Sequence, residues 1–477
     1  METLQRLHNR GSVSTVYDID NSLKLEANNS ENLYRNLHAS TSTTKFTHSA
    51  WYKRTELGSS MLLYMRGVAG NEAVFLRTNG TADTLQVDIG AGGTNSRSFT
   101  TQYVRDTSAW YHLVLAVDTT QSTATDRFKL YINGNLITDY SSRNNPSQNF
   151  AMETSSAQHR YGSYNNTDGY APFSGYIAEC NYIDGLYLDP TSFGEFDEDS
   201  GIWKPKQYTG SYGTGGYYLD FSDSSDLGAN AKGDDTNFTL RNIAAIEQAN
   251  DTPTNNFCVF NALANTTPST VLSEGGCLWD NPAGQNWQTA VGTFALTSGK
   301  WYWETRGATY AFIGIADIED DYVPINTNGY YLGYGDNNSG TTKSIGMYSI
   351  NGQVYNAPSG SPDGDSYNSG NMIGIALDMD NRKMWYSKDG TWITSVGDPT
   401  GTPSGGVALT HLGDTVYPAA SASASNGVIV AFGGLVTSHI SSHNMTNTDA
   451  NGYGAFKSSP PSGYYAICSK NLAEYGG

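Results

Sequence analysis

Apolar residues alternate with polar ones over many short stretches of this chain, and the clearest runs come in pairs separated by turn residues. Ile373, Ile375, Leu377 and Met379 recur every second position, Asp380-Asn381 supplies a turn, and a second apolar run leads to Asp389-Gly390. The first half repeats the device. Leu113 to Asp118 is followed by a polar loop to Asp126, and then Phe128, Leu130 and Ile132 alternate up to Asn133-Gly134. Two buried hairpins, one in each half, predict two β-sandwiches.

Further strands are predicted at 46–52, 61–65, 73–76, 84–89, 173–183 and 216–221 in the first half, and at 301–304, 311–316, 343–350 and 428–432 in the second. Asn-Gly and Asp-Gly pairs between them take the positive φ angles that tight turns require. The pattern weakens from Ser222 to about Asn256, where a short helix is expected only at Arg241 to Gln248. The organisation expected is an N-terminal arm (1–15), a sandwich (16–222), an irregular connector (223–256) and a second sandwich (257–477). The fold class is all-β, with two antiparallel jelly-roll sandwiches.

Composition agrees with that class. The 477 residues include 52 Gly and 33 Tyr, and only 15% are charged, as in a turn-rich β protein with much aromatic surface. A formal net charge of −19 repels nucleic acid and anionic membranes, so neither is an expected partner. No apolar run reaches the roughly 18 residues that span a bilayer, and the first ten residues have no secretory core, so synthesis in a cytoplasm is expected. Cys180, Cys258, Cys277 and Cys468 lack metal-ligand spacing and are expected as buried free thiols.

The one catalytic candidate is Glu195-Phe-Asp-Glu-Asp199, whose acids at i, i+2 and i+4 match a carboxylate pair on a strand. Its flanks lack apolar alternation, which makes it a solvated turn, and no catalytic residue is expected. Loops rich in Tyr, Asn, Asp and Gly suit sugars better, since aromatic faces cover sugar rings while amides and carboxylates take hydroxyls. The candidates are Tyr161, Tyr164, Asn166 and Tyr170 in the first half, with Tyr355, Asp365, Tyr367, Asn368 and Trp392 in the second.

Ala109 to Asp118 together with Asp126 to Gly134 and Phe173 to Glu179 resembles the laminin-G-like, concanavalin A-like domains over residues 16–222. Ser298 to Glu304, Phe312 to Ala316, Gly333 to Gly335, Gly374 to Trp385 and Asp389 to Trp392 resemble, in order, the SPRY domain. The first resemblance implies calcium on loop carboxylates, for which Asp118, Asp126 and Asp168 are the candidates; no other cofactor is expected. The combination, with segments such as Tyr182 to Leu186, Trp203 to Lys206 and Tyr217 to Ser222, is similar to structural proteins of tailed bacteriophages, particularly marine ones. That similarity implies a place on the virion surface, in a tail or head fibre, as a homo-oligomer among other virion proteins. The expected function is weak, multivalent binding of a host-surface glycan or receptor. The alternatives are a purely architectural decoration protein and a glycan hydrolase.

Overall fold

The computed structural model describes residues 17–36, 40–68, 71–90, 97–152, 157–164, 171–233, 236–264, 271–282, 286–307, 309–318, 331–333, 343–356, 365–423 and 425–476. The expected N-terminal arm lies outside them. The chain forms two units, the first ending at Thr254 and the second starting at Asn255.

In the first unit one sheet runs, edge to edge, through Asn135–Leu136, Phe128–Ile132, Tyr111–Asp118, Lys45–Arg54, Gly175–Asp184, Ser22–Leu25 and Gln248–Ala249, with Tyr217–Leu219 also paired to Gly175–Asp184. The other runs through Tyr140–Ser142, Arg97–Tyr103, Thr84–Ile89, Asn71–Asn79, Leu62–Val68, Gln158–Tyr161, Asn32–Asn36 and Thr239–Arg241. Every pairing within them is antiparallel. The predicted hairpin sets the inner face: Leu113 lies opposite Ile132, Leu115 opposite Leu130 and Val117 opposite Phe128, and all six are in the core. Asn133 (φ 45°) and Gly134 (φ 79°) both adopt the positive angles of a tight hairpin turn.

The outer face of that sheet is buried too. Val114 packs with Ile183 and Phe193, against which Leu188, Tyr208 and Tyr212 rest. Trp203 stacks on His112, with its Nε1 donating to His112 Nδ1 at 2.9 Å. The 186–212 region therefore forms a third layer, which explains why Leu113 to Val117 is apolar on both faces.

The stretch expected as a connector belongs to the first unit. Thr239–Arg241 pairs with Asn32–Asn36 and Gln248–Ala249 with Ser22–Leu25, extending both sheets by one strand. Between them the expected helix is a single 3₁₀ turn, Ala245–Glu247. Two- and three-residue edge strands carry too little alternation to be read from sequence. The Asp251 carboxylate receives Lys53 Nζ at 2.6 Å and Trp110 Nε1 at 3.1 Å, all three buried. Thr254 closes the unit, its hydroxyl bonding the N–H and carbonyl of Ile19.

The second unit pairs a sheet ordered Val271–Ser273, Leu278–Asn281, Asn426–Ala431, Lys300–Gly307, Ile373–Asp378, Lys383–Lys388 and Thr391–Trp392 with one ordered Gln288–Val291, Tyr417–Ala422, Ala311–Ala316, Ser344–Tyr348 and Val354–Tyr355. Trp303, Ile375 and Tyr386 are register partners on the inner face, and the Tyr386 hydroxyl donates across the sandwich to the Ile313 carbonyl. On the opposite face Tyr302, Ala376 and Trp385 are covered by Phe257, Phe456, Tyr464, Ala466 and Cys468. Tyr465–Ala466 runs parallel to Trp301–Tyr302, and a helix follows at Ser469–Tyr475. Phe257 bridges Cys468, and the Asn256 N–H donates to Ser469 Oγ at 3.0 Å, so this unit also closes on itself. All four cysteines are buried free thiols.

Candidate functional site

In Ala311–Ala316, Ile313 and Ile315 are fully buried towards the interior, which puts Phe312 and Ala316 on the outer face of the five-stranded sheet. Ser344, Gly346 and Tyr348 share that face on the next strand, since Phe312 pairs with Tyr348 and Gly314 with Gly346. Gly346 leaves a depression that a strap, Tyr331-Leu332-Gly333, crosses. Its Leu332 N–H donates to Ser421 Oγ at 3.0 Å and its Gly333 N–H to Ser344 Oγ at 2.8 Å. At Gly346 a Cβ would sit 2.5 Å from Leu332 Cβ, so the strap needs a glycine there.

This geometry gathers five rings. Phe312 is stacked between Tyr331 (4.5 Å between centroids, 15° between planes) and Tyr348 (4.6 Å, 14°). Tyr355 meets it edge-on at 5.3 Å, and Trp287 meets Phe312, Tyr331 and Tyr348 at 5.2, 5.1 and 6.0 Å. Phe312 is buried, while Trp287, Tyr331, Tyr348 and Tyr355 remain half-buried. Gln353 borders the group and accepts from the Tyr355 hydroxyl at 3.3 Å and from Asn351 Nδ2 at 2.9 Å. Burial, then Tyr310 and Tyr355, push the Tyr348 hydroxyl above its ordinary value, so it stays a protonated donor at neutral pH. Flat apolar rings rimmed by neutral donors and acceptors suit the face of a sugar ring.

Of the residues expected from sequence, Tyr355 alone belongs to this cluster. Tyr161 is fully buried, its hydroxyl 3.0 Å from that of Tyr217, and cannot meet a ligand at the surface. Its strand, Gln158–Tyr161, lies inside a sheet, and the tyrosine alternates inward. Tyr367 is likewise interior, its hydroxyl donating to the Ala311 and Met347 carbonyls at 3.2 and 2.9 Å. Tyr164 packs edge-on against Phe75 at 5.7 Å. Asp365 and Asn368 are exposed, and Asn368 Oδ1 serves a turn by accepting from the Gly370 N–H. Trp392 rests on the cluster around Tyr302 and Phe456. Asn166 and Tyr170 lie outside the described residues. Trp287, Tyr331 and Tyr348 were missed; the legible signal is the aromatic-small alternation of Phe312-x-Gly314-x-Ala316 beside Ser344-x-Gly346-x-Tyr348.

The calcium candidates stand in different surroundings. Asp118 Oδ1 accepts from the Thr120 N–H and hydroxyl, and Oδ2 from Gln121 and Lys45, so four donors already occupy the carboxylate. Burial raises its pKa, but these bonds outweigh it and hold the group below the usual range. Asp126 is 3.7 Å from Lys129, and Asp168 lies outside the described residues. Among the described residues no group of three His, Cys, Asp or Glu side chains is placed to hold a metal ion. The acids of 195–199 lie on and beyond a small hairpin, Gly194–Phe196 paired with Trp203–Pro205. Glu195 reaches Lys204 at 3.5 Å and Lys206 at 3.9 Å, and Asp197 caps the turn to Ser200.

Two antiparallel sandwiches, one with an aromatic outer face, place the chain in the class of all-β sandwich proteins. The family comparisons refine it. Residues 27–185 match the sequence model of the concanavalin A-like lectin/glucanases superfamily, in its laminin G form, and residues 300–435 match that of the SPRY domain. The chain joins a concanavalin A-like domain to a SPRY domain. Among solved structures it is similar to the SPRY domain of human HERC1, at 15% identity and a TM-score of 0.25, covering 34% of this chain and 91% of that one. A candidate carbohydrate binding protein of Bacteroides ovatus aligns at 18% identity and a TM-score of 0.33, covering 47% of this chain and 59% of that one. A heptameric SAP-like pentraxin of Limulus polyphemus aligns at 12% identity and 0.28, covering 36% and 80%. No curated protein sequence matches the chain.

Proposed function

We propose that this chain is a non-enzymatic glycan-binding protein displayed in many copies on the surface of a tailed-phage particle, after synthesis in the host cytoplasm. The observation that carries the binding reading is the aromatic face of the second unit, with four half-buried rings around Phe312 and a neutral polar rim. The match of the first unit to a lectin-containing superfamily supports the same class of ligand. The phage setting rests on the similarity of segments such as Trp203 to Lys206, in the third layer of the first unit, and Tyr217 to Ser222, which adds a strand to its first sheet.

A shallow aromatic site of this kind binds a sugar at about millimolar affinity, roughly −4 kcal/mol, which one copy cannot use to hold a particle. Repetition raises the total by roughly 10² to 10⁴ where geometry allows. Glycan-array binding by the full chain, presented multivalently, tests the reading. Binding is expected for the natural chain and is expected to fall about tenfold or more in Trp287→Ala and Tyr355→Ala. Equal binding by both variants refutes the assignment of the face. Labelling of purified particles with antibody against the chain tests the setting, and particles without label refute it.

A further inference from the structure

Three side chains form a cross-strand row in the second sheet of the first unit: His159 is the register partner of Arg35 on one side and of Arg66 on the other. All three are buried. They face the interior, where Arg66 lies over the rings of Phe46 and Tyr182 and Arg35 over that of Tyr217. The His159 ring meets Tyr182 edge-on at 4.4 Å and Tyr217 at 5.2 Å.

The Arg66 guanidinium, with no exposed surface, donates through Nη1 to the Tyr182 hydroxyl at 2.6 Å, while its Nε and Nη2 meet no acceptor. His159 Nδ1 lies 2.9 Å from the Tyr64 hydroxyl, and its Nε2 has no partner. Burial, then Arg66, Arg35 and His48, push the imidazole far below its ordinary value, and burial pushes the Tyr64 hydroxyl up, so both are neutral. With Tyr64 donating to Nδ1, the ring proton sits on Nε2. The unsatisfied groups are then all donors, and what completes them is an acceptor.

Charge separates the possible acceptors. Among the described residues Arg66 has no ion pair, and a buried cation is tolerated when an anion balances it. Asp184, whose charge acts on the Tyr182 hydroxyl, is committed to Ser40, Thr41, Ser42 and Gly215. Water would satisfy a donor and leave the charge unbalanced. We propose that Arg66 and His159 hold a small monovalent anion of the halide class between the two sheets of the first unit. The weakly hydrated surroundings, rings of Phe46, Tyr182 and Tyr217, suit chloride or bromide better than a strongly hydrated oxyanion.

Crystals of the full chain grown or soaked in bromide test this by anomalous diffraction. A bromide peak in contact with Arg66 and His159 Nε2 is expected; no peak there, or an ordered water in its place, overturns the proposal. In solution, the Tm in chloride or bromide minus that in sulfate at constant ionic strength is expected to be higher for the natural chain than for Arg66→Met, a comparison that cancels the general stabilisation by sulfate. The same halide response in both chains overturns it as well.

Discussion

Glu304 anchors the cover of the second unit, and its removal gives a sharp test of how that cover is held. The side chain is fully buried; Oε1 accepts from the Tyr302 hydroxyl at 2.8 Å and the Ser458 N–H at 2.9 Å, and Oε2 from the Lys457 N–H at 2.7 Å. Glu304→Ala strands three donors. A buried donor left without an acceptor costs about 1–3 kcal/mol. Lys457 and Ser458 are half-buried and can recruit water, so each falls near the low end, whereas the Tyr302 hydroxyl is enclosed. The expected loss is about 3–4 kcal/mol, read as a lower urea midpoint for the second unit. Hydrogen exchange should quicken in the 455–468 segment, which carries Phe456, Tyr464 and Ala466 onto the sheet. Glu304→Gln keeps the volume and one acceptor oxygen, and about half that loss is expected. Burial raises the Glu304 pKa above 4.5 despite the three bonds, so the native state binds its proton more tightly than the unfolded chain. Its contribution is therefore greatest below about pH 4.5 and fades as pH rises through the native value, a slope that Glu304→Gln should remove. A loss below about 1 kcal/mol for the alanine variant, with exchange unchanged, refutes the reasoning.

Three further outcomes follow from the same geometry. Burial raises the Glu179 carboxyl to about 7 in spite of bonds from Tyr218 and Tyr17, so the first unit should lose stability between about pH 4.5 and 7, and Glu179→Gln should flatten that part of a Tm-against-pH curve. Phe312→Ala empties the centre of the ring cluster and should cost about 3–5 kcal/mol in chemical denaturation, in contrast to Trp287→Ala, which should weaken glycan binding about tenfold or more at a stability loss nearer 1 kcal/mol. Glu195→Gln should change stability by less than about 0.5 kcal/mol, because Glu195 is itself partly exposed and its lysine contacts are long; release of reducing ends from host polysaccharide by the natural chain, lost in this variant, would overturn the non-enzymatic reading.

Period-two alternation located the sheets well, because the Leu113 to Val117 and Ile373 to Leu377 strands are long enough for the period to show. It could not say which face of a strand is inner. In Ala311–Ala316 both faces carry apolar residues, and only the neighbouring Gly346 and the strap through Leu332 reveal Phe312 as outward. Tyrosine misled for a related reason: a hydroxyl that finds a carbonyl inside the protein, as in Tyr367, leaves the same letter in the sequence as one that faces solvent. The edge strands at 239–241 and 248–249 were invisible because their pairing is settled by partners more than 200 residues distant in the chain.

Both units fasten their first segment to their last: Ile19 to Thr254 in one, Phe257 to Cys468 in the other. A module whose two ends meet can be spliced into a surface loop of a host scaffold, or cut open elsewhere and rejoined, without stretching its sheets. Each half of this chain is thus a ready-made insert for grafting, and recombination between unrelated genes could move either one intact.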